Sequence, residues 1–214
     1  MKTLINGRWT DRKDEKQSND RSFKRKDTEF RNWITPDGSP GETGVGGFKA
    51  ESRRYHLYVS LARPWAHRSL IFRKLKNLEP HVGVSIVHPI MLENGWKFRT
   101  DFSQCTGDQI LGKNSIFEVY LAADKNITSR ASVPVLWDVK QATMVSSESS
   151  EIIRMFYSAF EKISVNELDF YPGKLRTEID ELNAMIYENV NNGVYKNRLC
   201  HLAKVVYRIL YEII

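Results

Sequence analysis

Arg63 stands where a short apolar run, Tyr55-His-Leu-Tyr-Val-Ser-Leu-Ala62, meets Pro64 and the start of a helical pattern. Proline suits the first helical position, because its φ is preset and its missing N–H would have no partner there anyway. A side chain just before it lies at the positive end of the helix dipole. A cysteine in that slot would be lowered in pKa and made nucleophilic. The guanidinium of Arg63 is always charged and attacks nothing. The run Arg63-Pro-Trp-Ala-His-Arg68 thus frames a nucleophile's place filled by a cation. Other chemistry is thinly supplied. The histidines at 56, 67, 81, 88 and 201 share no ligand spacing, so His67 reads as structural and no metal site is expected. The two cysteines, Cys105 and Cys200, give no disulfide framework and suit a reducing cytoplasm.

The elements that must position Arg63 follow from patterning. A strand is predicted over 55–61 and a helix over 64–78, with Ala66, Leu70, Ile71, Leu75 and Leu78 at helical spacing. A β-branched run predicts a second strand over 82–90, before an insertion at about 91–131. Strands over 133–139 and 143–147 and a helix over about 148–160 complete the order β-α-β-(insertion)-β-β-α, that of the thioredoxin fold. In that fold a proline opening the third strand, here Pro134, is the place of a cis peptide beside the active site. After a linker ending at Tyr171-Pro-Gly173, the residues Leu175, Ile179, Leu182, Ile186 and Val190 form an apolar helical stripe that must be buried.

Residues 1–53 read as an irregular arm anchored by Phe23, Phe30 and Trp33, with turns at Asp37-Gly38 and Ser39-Pro-Gly41. Gly41-Glu-Thr-Gly-Val-Gly-Gly47 lacks the Lys-Ser/Thr of a phosphate loop and reads as a flexible stretch. The net charge of +6 gathers in residues 1–31, where ten Lys/Arg meet six Asp/Glu. Those charges are interleaved and carry no aromatic stacking pattern, which favours a solvated surface over a nucleic-acid interface. No apolar run is long enough to cross a membrane, and the start reads as too polar for a signal peptide, leaving Asn126-Ile-Thr128 an idle sequon.

A family resemblance rests on several segments in order: Phe30-Arg-Asn-Trp-Ile34, Gly44-Val-Gly-Gly-Phe48, Arg54-Tyr-His-Leu-Tyr-Val-Ser-Leu-Ala62, Pro64-Trp-Ala-His-Arg68, Asn94-Gly-Trp96, Val133-Pro-Val-Leu-Trp-Asp138, Glu148-Ser-Ser-Glu-Ile-Ile-Arg154 and Val190-Asn-Asn-Gly-Val-Tyr-Lys196. Together they resemble the glutathionyl-hydroquinone reductases (Xi-class glutathione transferases) from about Gly7 to Lys196. The resemblance implies a thioredoxin-like domain at 54–160, followed by the start of an all-α transferase C-terminal domain at 171–214. It implies glutathione as co-substrate, glutathionyl-hydroquinones as substrates, no metal, no nucleic-acid or membrane partner, and a homodimer that a shortened C-terminal domain puts in doubt. By the same resemblance Trp96 packs on glutathione, and Arg130, Ala131, Ser132 and Val133 line it. Val133 pairs its backbone with the cysteinyl unit. Glu148 and Ser149, at a helix N-terminus, take the γ-glutamyl end, and Tyr195 assists proton transfer beside the sulfur. Trp96 as ordinary packing and Ser149 as a plain helix cap are the competing readings.

In that family a cysteine thiolate attacks the glutathione sulfur of a glutathionyl-hydroquinone. The hydroquinone leaves, and a second glutathione resolves the mixed disulfide to glutathione disulfide. Arg63, in the cysteine's position, cannot begin this sequence, and neither Cys105 nor Cys200 is placed to replace it. After Lys196 the chain departs from the family pattern at Asn197-Arg-Leu-Cys-His201, where a one-base shift of suitable codons would restore Thr-Gly-Phe-Ala-Thr. Three functions are consistent with these residues: a transferase-like protein with weakened or lost reductase activity, a non-catalytic glutathione binder, or a decayed gene product.

Overall fold

The computed structural model describes residues 2–11 and 28–193. Their first element is a hairpin, β1 (Lys2–Ile5) paired antiparallel with β2 (Arg8–Asp11). The turn at Asn6-Gly7 needs positive φ at both residues, and a Cβ on Gly7 would lie 1.9 Å from the Lys125 carbonyl oxygen. Glycine is the residue without that atom.

β3 (Tyr55–Val59) has every residue buried. It runs parallel to β4 (Val82–Ile86), connected by helix α1 (Pro64–Leu75), and antiparallel to β5 (Val135–Asp138). β6 (Thr143–Ser146) pairs antiparallel with β5, giving the order β4-β3-β5-β6. Helix α3 (Ser149–Ser158) follows and buries Ile152, Met155 and Phe156, and a single turn, α4 (Glu161–Ser164), comes after it. This is the expected thioredoxin-like arrangement, with elements one to four residues shorter than the apolar runs suggest. At the strand ends side chains stay buried after ladder pairing has stopped, as at Ser60 and His88.

Three expectations need correction. The insertion contains a helix, α2 (Ile116–Ala123), whose Ile116, Val119 and Tyr120 are buried at helical spacing. Along α1, Ala66 and Leu78 are buried, but Ile71 and Leu75 are exposed and line a groove of about 530 Å³ with Leu168; the inward positions are Ala66 and Ser69. The arm is anchored at Phe30 and Trp33 as expected, but it is not irregular throughout, since it opens with the β1–β2 hairpin. Leu4, Ile34 and Phe48 are buried, and Asn32 N–H donates to the Val145 carbonyl at 2.9 Å. Trp33 is buried and donates from its indole to Thr43, while Phe30 packs edge-on to Tyr120; Phe23 lies outside the described residues. The glycine stretch is held too: Val45 N–H donates to the Asn32 side chain, and the Gly47 carbonyl accepts from Arg54 and Gln141.

Arg54 anchors the opposite end of β3. Its guanidinium meets the fully buried Asp138 carboxylate at 2.6–3.1 Å and Glu51 at 2.7 Å. Residues 28–168 with the hairpin form one compact unit. The described part of the second unit is a 3₁₀ turn (Gly173–Leu175), helix α5 (Arg176–Ile186) and a π turn (Tyr187–Asn191). Leu175, Leu182 and Val190 of its stripe are about half exposed.

Candidate functional site

The antiparallel registers place three loops at one end of the sheet. Tyr58 opposes Val135 and Leu136 opposes Ser146, so the segments after β3, before β5 and after β6 emerge together. They carry Arg63, the cis Val133–Pro134 peptide, and Glu148-Ser149.

Arg63 is the N-cap of α1, in extended backbone (φ −110, ψ 108), with Pro64 at the first helical position. Its carbonyl accepts from the N–H of Ala66 (3.0 Å) and His67 (2.9 Å). Its side chain caps nothing, the first turn holds no acid, and the buried Nε has no hydrogen-bond partner. A cation thus occupies the end of the helix where the dipole favours an anion.

Ladder pairing of β5 with β3 begins at Val135, which leaves the Val133 backbone outside the sheet. Val133 itself is buried, Ala131 and Ser132 are half-buried, and Arg130 is exposed. Glu148, not Ser149, is the N-cap of α3: its carboxylate accepts from the Ser150 N–H at 3.1 Å and hydroxyl at 2.9 Å. Ser149 is the first helical residue and is buried, its oxygen accepting from Arg68 Nε at 3.0 Å and Nη2 at 2.7 Å. The plain-cap reading of Ser149 is therefore corrected, because the longer Glu148 side chain reaches the free N–H first.

Arg68 was not legible as a site residue. It reaches from α1 to the start of α3, lies 3.8 Å from the Glu148 carboxylate and sits 4.7 Å over the Trp65 ring. Burial lowers its pKa from the ordinary guanidinium value, partly opposed by Glu148. Its position five residues beyond Arg63 in the same motif was the available signal. Glu151 in the first turn of α3 is also buried. Burial raises its carboxyl, opposed by Arg31 at 2.5–2.7 Å and by Ser146.

Trp96 belongs to the core cluster, 6% exposed, with its carbonyl accepting from Ile116 N–H. Its core packing is what the competing reading expects. Tyr195 and Cys200 lie outside the described residues. The Cys105 thiol is pushed up by burial and then by Asp101, the reverse of what a nucleophile needs. Among the described residues no group of His, Cys, Asp and Glu could hold a metal ion, and no helix is long and apolar enough to cross a membrane.

Residues 62–159 match the family model of the glutathione S-transferase N-terminal domain. The glutathionyl-hydroquinone reductase YqjG of Escherichia coli is 55% identical over 196 residues, covering 92% of this chain and 60% of the relative. PcpF of Sphingobium chlorophenolicum, of the same description, is 41% identical over 197 residues, 92% of this chain and 59% of the relative. The chain is a homologue of the glutathionyl-hydroquinone reductases and Xi-class glutathione transferases. Among solved structures, the Xi-class transferase of Natrialba magadii superposes with a TM-score of 0.87 at 38% identity, over 99% of this chain and 63% of that one. Glutathione-bound YqjG gives 0.80 at 53% identity, over 86% and 60%. The chain spans about three fifths of the length of the curated relatives it matches.

Proposed function

We propose that this chain is a Xi-type glutathione-binding protein in which the thiol–disulfide step of the reductases is closed. The observation that carries the reading is Arg63 at the N-cap of α1, at the sheet end shared with the cis Val133–Pro134 peptide and the start of α3. The free Val133 backbone pairs with the cysteinyl unit of glutathione as an added strand would. The α3 N-terminus, with Ser149, Glu148 and the nearby Arg68, receives the charged γ-glutamyl end. The glutathione sulfur then faces a guanidinium, which holds a thiolate by charge but forms no disulfide with it. Glutathione in its thiol form belongs to a reducing cytoplasm, the compartment we propose.

Domain limits of 54–160 for glutathione binding and 171–214 for a helical domain go with this reading, as does Arg130 on a carboxylate. The test is calorimetry with glutathione, followed by incubation with a glutathionyl-hydroquinone. Binding without hydroquinone release is expected. Turnover by the unaltered chain defeats the closed-step reading, and absence of glutathione binding defeats the whole. Light scattering tests the homodimer implied by the resemblance.

A further inference from the structure

Arg68 of α1 spends two of its donors on one oxygen. Its Nε and Nη2 reach the Ser149 hydroxyl at 3.0 and 2.7 Å. A serine hydroxyl has two acceptor lone pairs and one hydrogen, whereas a guanidinium has donors only. Both lone pairs of Ser149 are therefore taken, and its hydrogen is what the side chain has left to offer. Ser149 is 3% exposed, and among the described residues none accepts that hydrogen. A buried donor without an acceptor is costly, so the arrangement favours a ligand that supplies one.

The neighbouring Glu148 is arranged the opposite way. Its Oε1 accepts from the Ser150 N–H and hydroxyl at 3.1 and 2.9 Å and lies 3.8 Å from Arg68 Nη2. Its Oε2 has no hydrogen-bond partner among the described residues. Two adjacent residues thus present one donor and one anionic acceptor at the start of α3. That pair complements the charged groups of an α-amino acid, a carboxylate against the Ser149 hydrogen and an ammonium against Glu148 Oε2. Arg68 sets this polarity. Without the guanidinium the Ser149 oxygen is as free to accept as to donate, and a carboxylate meets a lone pair as readily as a hydrogen. The Trp65 ring, one turn earlier in α1, lies 4.7 Å from the guanidinium and holds its plane.

We infer that Arg68 is a specificity-determining residue of the γ-glutamyl subsite, a positioning group that keeps Ser149 an obligate donor and so admits an α-carboxylate there. The inference rests on the glutathione reading above and adds to it the reason the γ-glutamyl end enters one way round.

The test uses Arg68→Met and Arg68→Lys in the full chain, each assayed by calorimetry well below its melting midpoint. Three ligands separate the charges of the γ-glutamyl end: glutathione, glutaryl-cysteinylglycine, which lacks the α-amine, and 4-aminobutanoyl-cysteinylglycine, which lacks the α-carboxylate. Arg68→Met should weaken the first two about tenfold, the scale of one hydrogen bond to a charged group. Binding of the third should hold or strengthen, because its ammonium loses a nearby cation. Arg68→Lys keeps the charge and loses the second donor, and should fall between. Equal weakening of all three ligands makes Arg68 a structural residue and overturns the inference, as does an unchanged affinity for glutathione. Ser149→Ala supplies the second measurement: Arg68→Met should cost less affinity for glutathione in a chain already carrying that change. Effects that simply multiply overturn the inference and leave the glutathione reading intact. A wild-type chain that binds no glutathione defeats that reading and the inference with it.

Discussion

Arg63→Cys should create a reactive thiol, and the structure sets how reactive. A free thiol titrates at about 8.5, and a helix N-terminus stabilises an adjacent anion by about 0.3–2 kcal/mol. At about 1.4 kcal/mol per pKa unit, that is a fall of roughly 0.2–1.5 units. The upper half of the range applies here: the slot is half-buried, the first turn of α1 holds no acid, and Arg68 adds positive charge further along the helix. The introduced thiol should therefore titrate at about 7–7.7, roughly one fifth to one half ionised at pH 7. The assay is alkylation by iodoacetamide across pH 5–10, read by peptide mass spectrometry. Cys105, whose thiol burial pushes up, is the internal reference in the same molecule. Glutathione disulfide offers a second readout: the introduced thiolate attacks one sulfur, forms a mixed disulfide and releases a glutathione thiolate. If the introduced thiol ionises no more readily than Cys105, the helix-terminus argument is refuted, and position 63 is not a nucleophile's slot.

Asp138→Asn leaves the Arg54 guanidinium buried without its main counter-charge and should cost about 3 kcal/mol in denaturant unfolding. Asp138→Leu combined with Arg54→Met should cost less than the single change, because no charge is then stranded. His56 is buried, and burial takes its pKa from 6.5 to about 4, with Arg73 adding and Asp108 opposing. A lowered folded pKa means stability present above pH 6.5 is lost as pH falls toward 4, here up to about 3 kcal/mol. Unfolding titrations should show that loss shrinking in His56→Gln; an equal slope in both chains would contradict it. On α5, Leu182 and Val190 are each 51% exposed. Leu182→Lys with Val190→Lys should lower binding of an apolar dye while shifting stability by no more than about 1 kcal/mol; a larger loss would mean those side chains are buried in solution.

The thioredoxin-like order was legible because each element carries its own local signal. Val82–Ile86 is a β-branched run, Pro64 opens a helix, and Pro134 stands at a strand start. α2 carried the same kind of signal in Ile116, Val119 and Tyr120, yet a long stretch rich in turn residues hid it within the insertion. The outward face of α1 was misread because spacing says which residues share a face, and only the neighbours say which face is covered. Ser69 is buried while Ile71 is not.

The site divides in the same way. Residue type alone determined the chemistry available at position 63, since a guanidinium carries its charge and lacks a nucleophilic pair in any fold. The N-cap geometry was also local, dictated by Pro64. Tertiary structure alone decided which side chains meet across the sheet end. Arg68 takes the Ser149 hydroxyl, Glu148 turns onto Ser150, Trp96 is drawn into the core, and Tyr120 donates to the Ser132 carbonyl. Those pairs are 12 to 81 residues apart where they cross between elements, and their geometry depends on strand register and helix docking. Sequence fixes that geometry through the packing of the whole core, which no local pattern displays.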